Sequence, residues 1–111
     1  MREVVVVLRG RPLERGYGAE ACRVAVGLTQ AANRPTLLCL EDGVAAVGPL
    51  GLEEELARHL SRFARQGVGL AADAAALAER GLTAQVPDVR VLEHAACLEL
   101  LARADRVVVF R

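Results

Sequence analysis

The chain has 111 residues, sets 14 basic against 14 acidic side chains, and is 53% hydrophobic. That is the size of one domain with enough apolar matter for its own core, and the balanced charge, with no long run of one sign, excludes an electrostatic nucleic-acid groove or an anionic-membrane surface. Every basic residue is Arg, which excludes lysine Schiff-base chemistry and a Walker lysine.

Val4–Leu8 is a continuous β-branched run, the pattern of a strand buried on both faces. Residues 9–17 (RGRPLERGY) carry two Gly and a Pro and predict a loop. From Gly18 to about Asn33, Ala21, Ala25, Leu28 and Ala32 recur at helical spacing, and Asn33-Arg34-Pro35 is expected to end that helix. Thr36–Leu40 (TLLCL) reads as a second strand closed by Glu41-Asp42-Gly43, and 44–51 as a loop or a single helical turn. Leu52, Leu56, Leu60 and Phe63 then mark an amphipathic helix, with Glu53, Glu54 and Glu55 in its first turn, Arg62 and Arg65 in its last, and Gly67 as its stop. Val68–Ala72 reads as a third strand, chiefly because the alternation requires one. Asp73 is a predicted N-cap for a short helix ending at Gly81. Val89–Leu92 is a fourth strand, His94–Arg103 a helix with Cys97, Leu100, Leu101 and Ala104 on one face, and Arg106–Phe110 (RVVVF) a fifth strand.

Strand–helix alternation along the whole chain predicts one domain over 1–111. Its expected architecture is an α/β three-layer sandwich around a five-stranded, mostly parallel sheet. Residues 3–8 are too short for a signal core or a membrane span, so the expected setting is the cytoplasm. Three cysteines without C-x-x-C spacing are then expected as reduced thiols, with neither a disulfide framework nor a metal site. With Tyr17, Phe63 and Phe110 as the aromatic set, a base-stacking surface is not expected.

In open α/β sheets, ligands bind beyond the carboxyl ends of the strands. That rule gathers Arg9, Arg11 and Arg15 with the start of the first helix, then Glu41 and Asp42, then Asp73, then His94. Gly16, Gly18 and Ala21 have the spacing G-x-G-x-x-A of a dinucleotide loop, but Gly16 lies well beyond the strand end at Leu8 with Pro12 between. A phosphate loop needs its first Gly directly after the strand, so these glycines read as turn formers, and a nucleotide-binding module is the weakest alternative. Cys39 and Cys97 fall on apolar positions and read as core. Cys22 falls in the first or second turn of a helix near Arg15 and Arg23, where a thiolate is favoured, although Glu20 opposes it and a packed structural thiol is the competing reading. His59, four residues after Glu55, reads as a solvated surface residue.

Four segments together resemble one family. LCLEDGVAAVGPLG (38–51) resembles the segment after the second strand of the DsrE/DsrF/DsrH family, the TusBCD sulfur-relay proteins. DAAALAERGLTAQV (73–86) resembles the short helix ending in R-G-L that follows there, and RPLERGYGAEACRVA (11–25) is similar to the N-terminal segment of the DsrH/TusB branch. ADRVVVF (104–110) matches the family's last strand. The resemblance implies a homo- or hetero-oligomer of related subunits. It also implies a persulfide donor or acceptor protein as partner and no organic cofactor. It departs at one place: the thiol that carries sulfur in the DsrE/TusD branch falls on Asp73 here. In the DsrH branch the thiol of interest falls on Cys22. The leading expectation is thus a cytoplasmic sulfur carrier acting through a Cys22 persulfide, in tRNA thiolation or sulfur oxidation. In it Arg9, Arg11, Arg15, Asp73 and His94 would bind the incoming substrate or partner. The alternative is a non-catalytic structural subunit of the same kind of assembly.

Overall fold

A computed structural model describes residues 1–49 and 54–111. Five strands form one sheet: β1 (Arg2–Leu8), β2 (Asn33–Cys39), β3 (Gly69–Asp73), β4 (Arg90–Leu92) and β5 (Arg106–Phe110). Their order is β4-β3-β2-β1-β5, and all four pairings are parallel. The α/β sandwich expected from the alternation is therefore present, with the carboxyl ends of all strands along one rim.

The helices are α1 (Tyr17–Leu28), α2 (Glu54–Ser61), α3 (Phe63–Gln66), α4 (Ala74–Glu79) and α5 (His94–Arg103), with 3₁₀ segments at Glu14–Gly16 and Glu41–Val47. The two faces are covered unequally. On one, Val6, Leu8, Leu37, Cys39, Leu70 and Ala72 pack beneath α1 to α4 and the 3₁₀ segment after β2. On the other, among the described residues, Val5, Val7, Leu38 and Ala71 pack beneath α5, through Cys97, Leu100 and Leu101. The period-2 alternation of a strand sends neighbouring valines of β1 to opposite cores.

Two local departures from the sequence reading have physical causes. α1 ends at Leu28 rather than near Asn33, with the Asn33 side-chain amide donating to the Leu28 carbonyl at 3.0 Å, and Asn33-Arg34-Pro35 begins β2 instead of ending the helix. Pro35 pairs with Val4, whereas the β3 ladder on the other side starts one residue later at Thr36, so the missing Pro N–H interrupts nothing there. The long helix expected from Leu52 to Phe63 is broken at Arg62, next to a Ser61 hydroxyl that donates to the Arg58 carbonyl at 2.9 Å, a local bond that bends helices. Its expected start at Leu52 and the end of the preceding loop lie outside the described residues. Gly67 does stop α3, in the left-handed conformation at φ 77°.

Candidate functional site

The register of the sheet sets the rim. Leu8 lies beside Cys39, and Asp73 beside Leu92, so the residues that follow these positions become neighbours. Arg9, just past β1, donates through Nε and Nη2 to the two carboxylate oxygens of Glu41 at 3.1 and 3.0 Å. These bonds hold the Glu41 carboxyl below its ordinary pKa and raise that of Arg9. Such a fork pairs both charges at the exposed rim.

Asp42 and Arg80 form a second pair: Nε and Nη2 of Arg80 donate to Asp42 Oδ1 at 3.1 and 3.0 Å. This contact joins the E-D-G-V segment to the E-R-G-L segment. Gln85 N–H donating to the Val47 carbonyl at 2.8 Å reinforces it. Sequence spacing gives no hint of the pair, since 38 residues separate its members. Arg11 is exposed and borders a hollow of ≈ 260 Å³ with Pro12, Asp42, Ala45 and Arg80. Arg15 is exposed in the left-handed region at φ 56°. It lies in the turn into α1 together with Gly16 at φ 68°. The glycines therefore shape that turn, as expected. α1 begins at Tyr17, separated from β1 by Arg9–Gly16, and this is not the strand–glycine–helix junction of a phosphate loop.

Asp73 and His94, both expected at the rim, hold each other. His94 Nδ1–H donates to Asp73 Oδ2 at 2.8 Å, while Oδ1 accepts from Ala75 N–H at 3.0 Å and caps α4. The carboxylate is buried and the imidazole side chain is 61% exposed. A buried acid anchoring an exposed imidazole fixes the ring's orientation.

The three thiols are all buried. Cys22 is 3% exposed, in the second turn of α1. The dipole effect fades after the first turn, so the thiolate-favouring helix start expected from the sequence is weaker at this position. Cys22 also lines a cleft of ≈ 520 Å³ between α1 and the α2–α3 pair, together with Arg23, Val26, His59 and Phe63. His59 is thus placed on the same cleft as Cys22, which its surface-like spacing did not reveal. The basic side chains there already have acidic neighbours: Arg23 pairs with Glu20, and His59 Nε2 lies 3.9 Å from Glu55. Burial, with the neighbouring Cys22 adding to it, pushes the Cys39 thiol up to about 12. Burial and then the Asp73 carboxylate push the Cys97 thiol up as well. Since the thiolate is the nucleophile, these shifts disfavour the reactive form at both positions.

No helix among the described residues is long and apolar enough to cross a membrane. No protein-family model matches the chain, and no curated protein matches it, so the DsrH/TusB branch gains no support from sequence families. Among solved structures, the ychN protein from E. coli matches with a TM-score of 0.81. That match is 20% identical and covers 99% of this chain and 100% of the other. The chain has the fold of the ychN protein, an all-parallel α/β sandwich consistent with the DsrE-like architecture.

Proposed function

We propose that this chain is a non-carrier subunit of a DsrE-like sulfur-relay assembly in the cytoplasm. It supplies shape and contact surface, while the sulfur-bearing thiol resides on a related subunit or a persulfide donor protein. The observation that carries this reading is the burial of every thiol: Cys22 is 3% exposed, and Cys39 and Cys97 are 0% exposed. Two further features support it. Asp73, at the position where the DsrE/TusD branch carries its thiol, is committed to capping α4 and holding His94. The rim arginines Arg9 and Arg80 are likewise engaged by Glu41 and Asp42.

A second reading is favoured by the cleft that Cys22 lines with Arg23 and His59. In it, the Cys22 thiolate attacks the outer sulfur of a donor persulfide. A Cys22 persulfide forms, and the donor leaves as its thiolate.

One experiment separates the two. The protein is incubated with inorganic polysulfide and its intact mass is compared with that of Cys22→Ser, using a reactive thiol protein as positive control. The subunit reading predicts no reductant-sensitive sulfur adduct on either protein. An adduct on wild type that is missing from Cys22→Ser would replace it with the carrier reading.

A further inference from the structure

Beside the rim, the turn into α1, the 3₁₀ segment after β2 and α2 border the hollow of ≈ 260 Å³. Its walls are apolar: Pro12 and Leu13 come from the turn, Ala45 and Ala46 from the 3₁₀ segment, and Leu56 and Ala57 from α2. Ala46 and Leu56 are buried, whereas Leu13 leaves half of its surface in water. The Asp42–Arg80 pair and the Gln85–Val47 hydrogen bond brace the 3₁₀ wall, so the hollow stands preformed.

The two arginines on its border differ. Arg80 is committed: Asp42 accepts from its Nε and Nη2, the Ala76 carbonyl accepts from Nη1 at 3.1 Å, and Glu79 lies 3.6 Å from Nη1. Arg11 is exposed and has no acidic partner among the described residues.

We propose that this hollow binds a small amphiphilic monocarboxylate, its apolar tail between these walls and its carboxylate on the Arg11 guanidinium. This goes beyond the subunit reading and does not depend on it. Apolar walls with a polar group that fixes orientation are the usual make-up of a small-molecule site. The guanidinium fork matches the two oxygens of a carboxylate. An apolar tail removes its own surface and that of Leu13 from water together. Asp42, on the same border, repels a doubly charged phosphate more than a singly charged carboxylate. The volume sets the length: at about 30 Å³ per water, the hollow has room for about nine waters, or for a straight chain of about eight carbons.

The test is a titration with octanoate, read by methyl chemical shifts, on wild type, Arg11→Glu and Ala57→Leu, with far-UV circular dichroism confirming the fold. Arg11 is exposed and Ala57 is only half-buried, so neither change removes a core contact. The proposal predicts saturable shifts centred on Leu13, Ala45, Ala46 and Leu56, with a Kd of about 1 mM or tighter. Arg11→Glu reverses the charge at the mouth and Ala57→Leu fills the hollow, and each should weaken binding at least about tenfold. No saturation of wild type by about 10 mM octanoate overturns the proposal. So do shifts spread evenly over the protein, or an unchanged affinity in folded Arg11→Glu. None of these readings bears on sulfur loading, which tests the subunit reading separately.

Discussion

Replacing Gly43 with Ala is expected to destabilise the protein by about 3 kcal/mol, the upper end of what forcing a close-packed region apart costs. Gly43 is the glycine of the E-D-G-V segment, where the 3₁₀ turn after β2 crosses the end of β1. A Cβ built there would lie 1.9 Å from the Leu8 carbonyl oxygen and 2.6 Å from its carbon. The obstacle is backbone of a strand paired on both sides, so it has nowhere to move. The Gly43 N–H also donates to the carbonyls of Leu40 at 2.8 Å and Arg9 at 3.2 Å, and a shift that relieved the clash would break these bonds. Gly27→Ala is the control. Nothing lies within 4 Å of its Cβ, and it sits inside α1. There the exchange should stabilise by about 0.5–1 kcal/mol. Urea unfolding of the two variants reads both signs at once. A Gly43→Ala midpoint equal to that of wild type would show that the crossing is looser than described.

Alkaline pH is expected to unfold the protein through Cys39. Its thiol ionises near 9.0 when exposed and is pushed up to about 12 in the folded chain, chiefly because burial penalises the thiolate. The folded state holds that proton more tightly. The contribution of Cys39 is thus fully present below pH 9 and is lost as pH rises toward 12, over a range worth a few kcal/mol. Unfolding free energies of wild type and Cys39→Ala at about pH 8 and about pH 10.5 isolate the effect. Wild type should lose more stability between the two than the variant does. Equal losses would mean that Cys39 ionises in the folded state as it does in water.

The strands and their parallel arrangement were legible because their residues repeat the pattern of burial. Val4–Leu8 is apolar without interruption and is buried on both faces. β3, expected mainly from alternation, is short and rich in Gly and Ala, and its identity comes from its two neighbours rather than its own propensity. Asp73 as a cap was legible because capping is local. The rim pairs were not. Arg9 meets Glu41 only because Leu8 lies beside Cys39, and His94 meets Asp73 only because Asp73 lies beside Leu92. Register is a long-range property with no local signature. Position along α1 suggested an activated Cys22, but its depth depends on how α2 and α3 pack against it, which the spacing of α1 alone does not contain.

The central claim, that the folded chain presents no reactive thiol, is tested most directly by counting them. Native protein is exposed to iodoacetamide at neutral pH and its intact mass is followed in time, with a parallel sample in urea. The account predicts no rapid adduct on the native chain and three on the unfolded one, matching three buried cysteines. A single fast native adduct mapped to Cys22 would contradict it, and would identify the cleft beside His59 as a working thiol site.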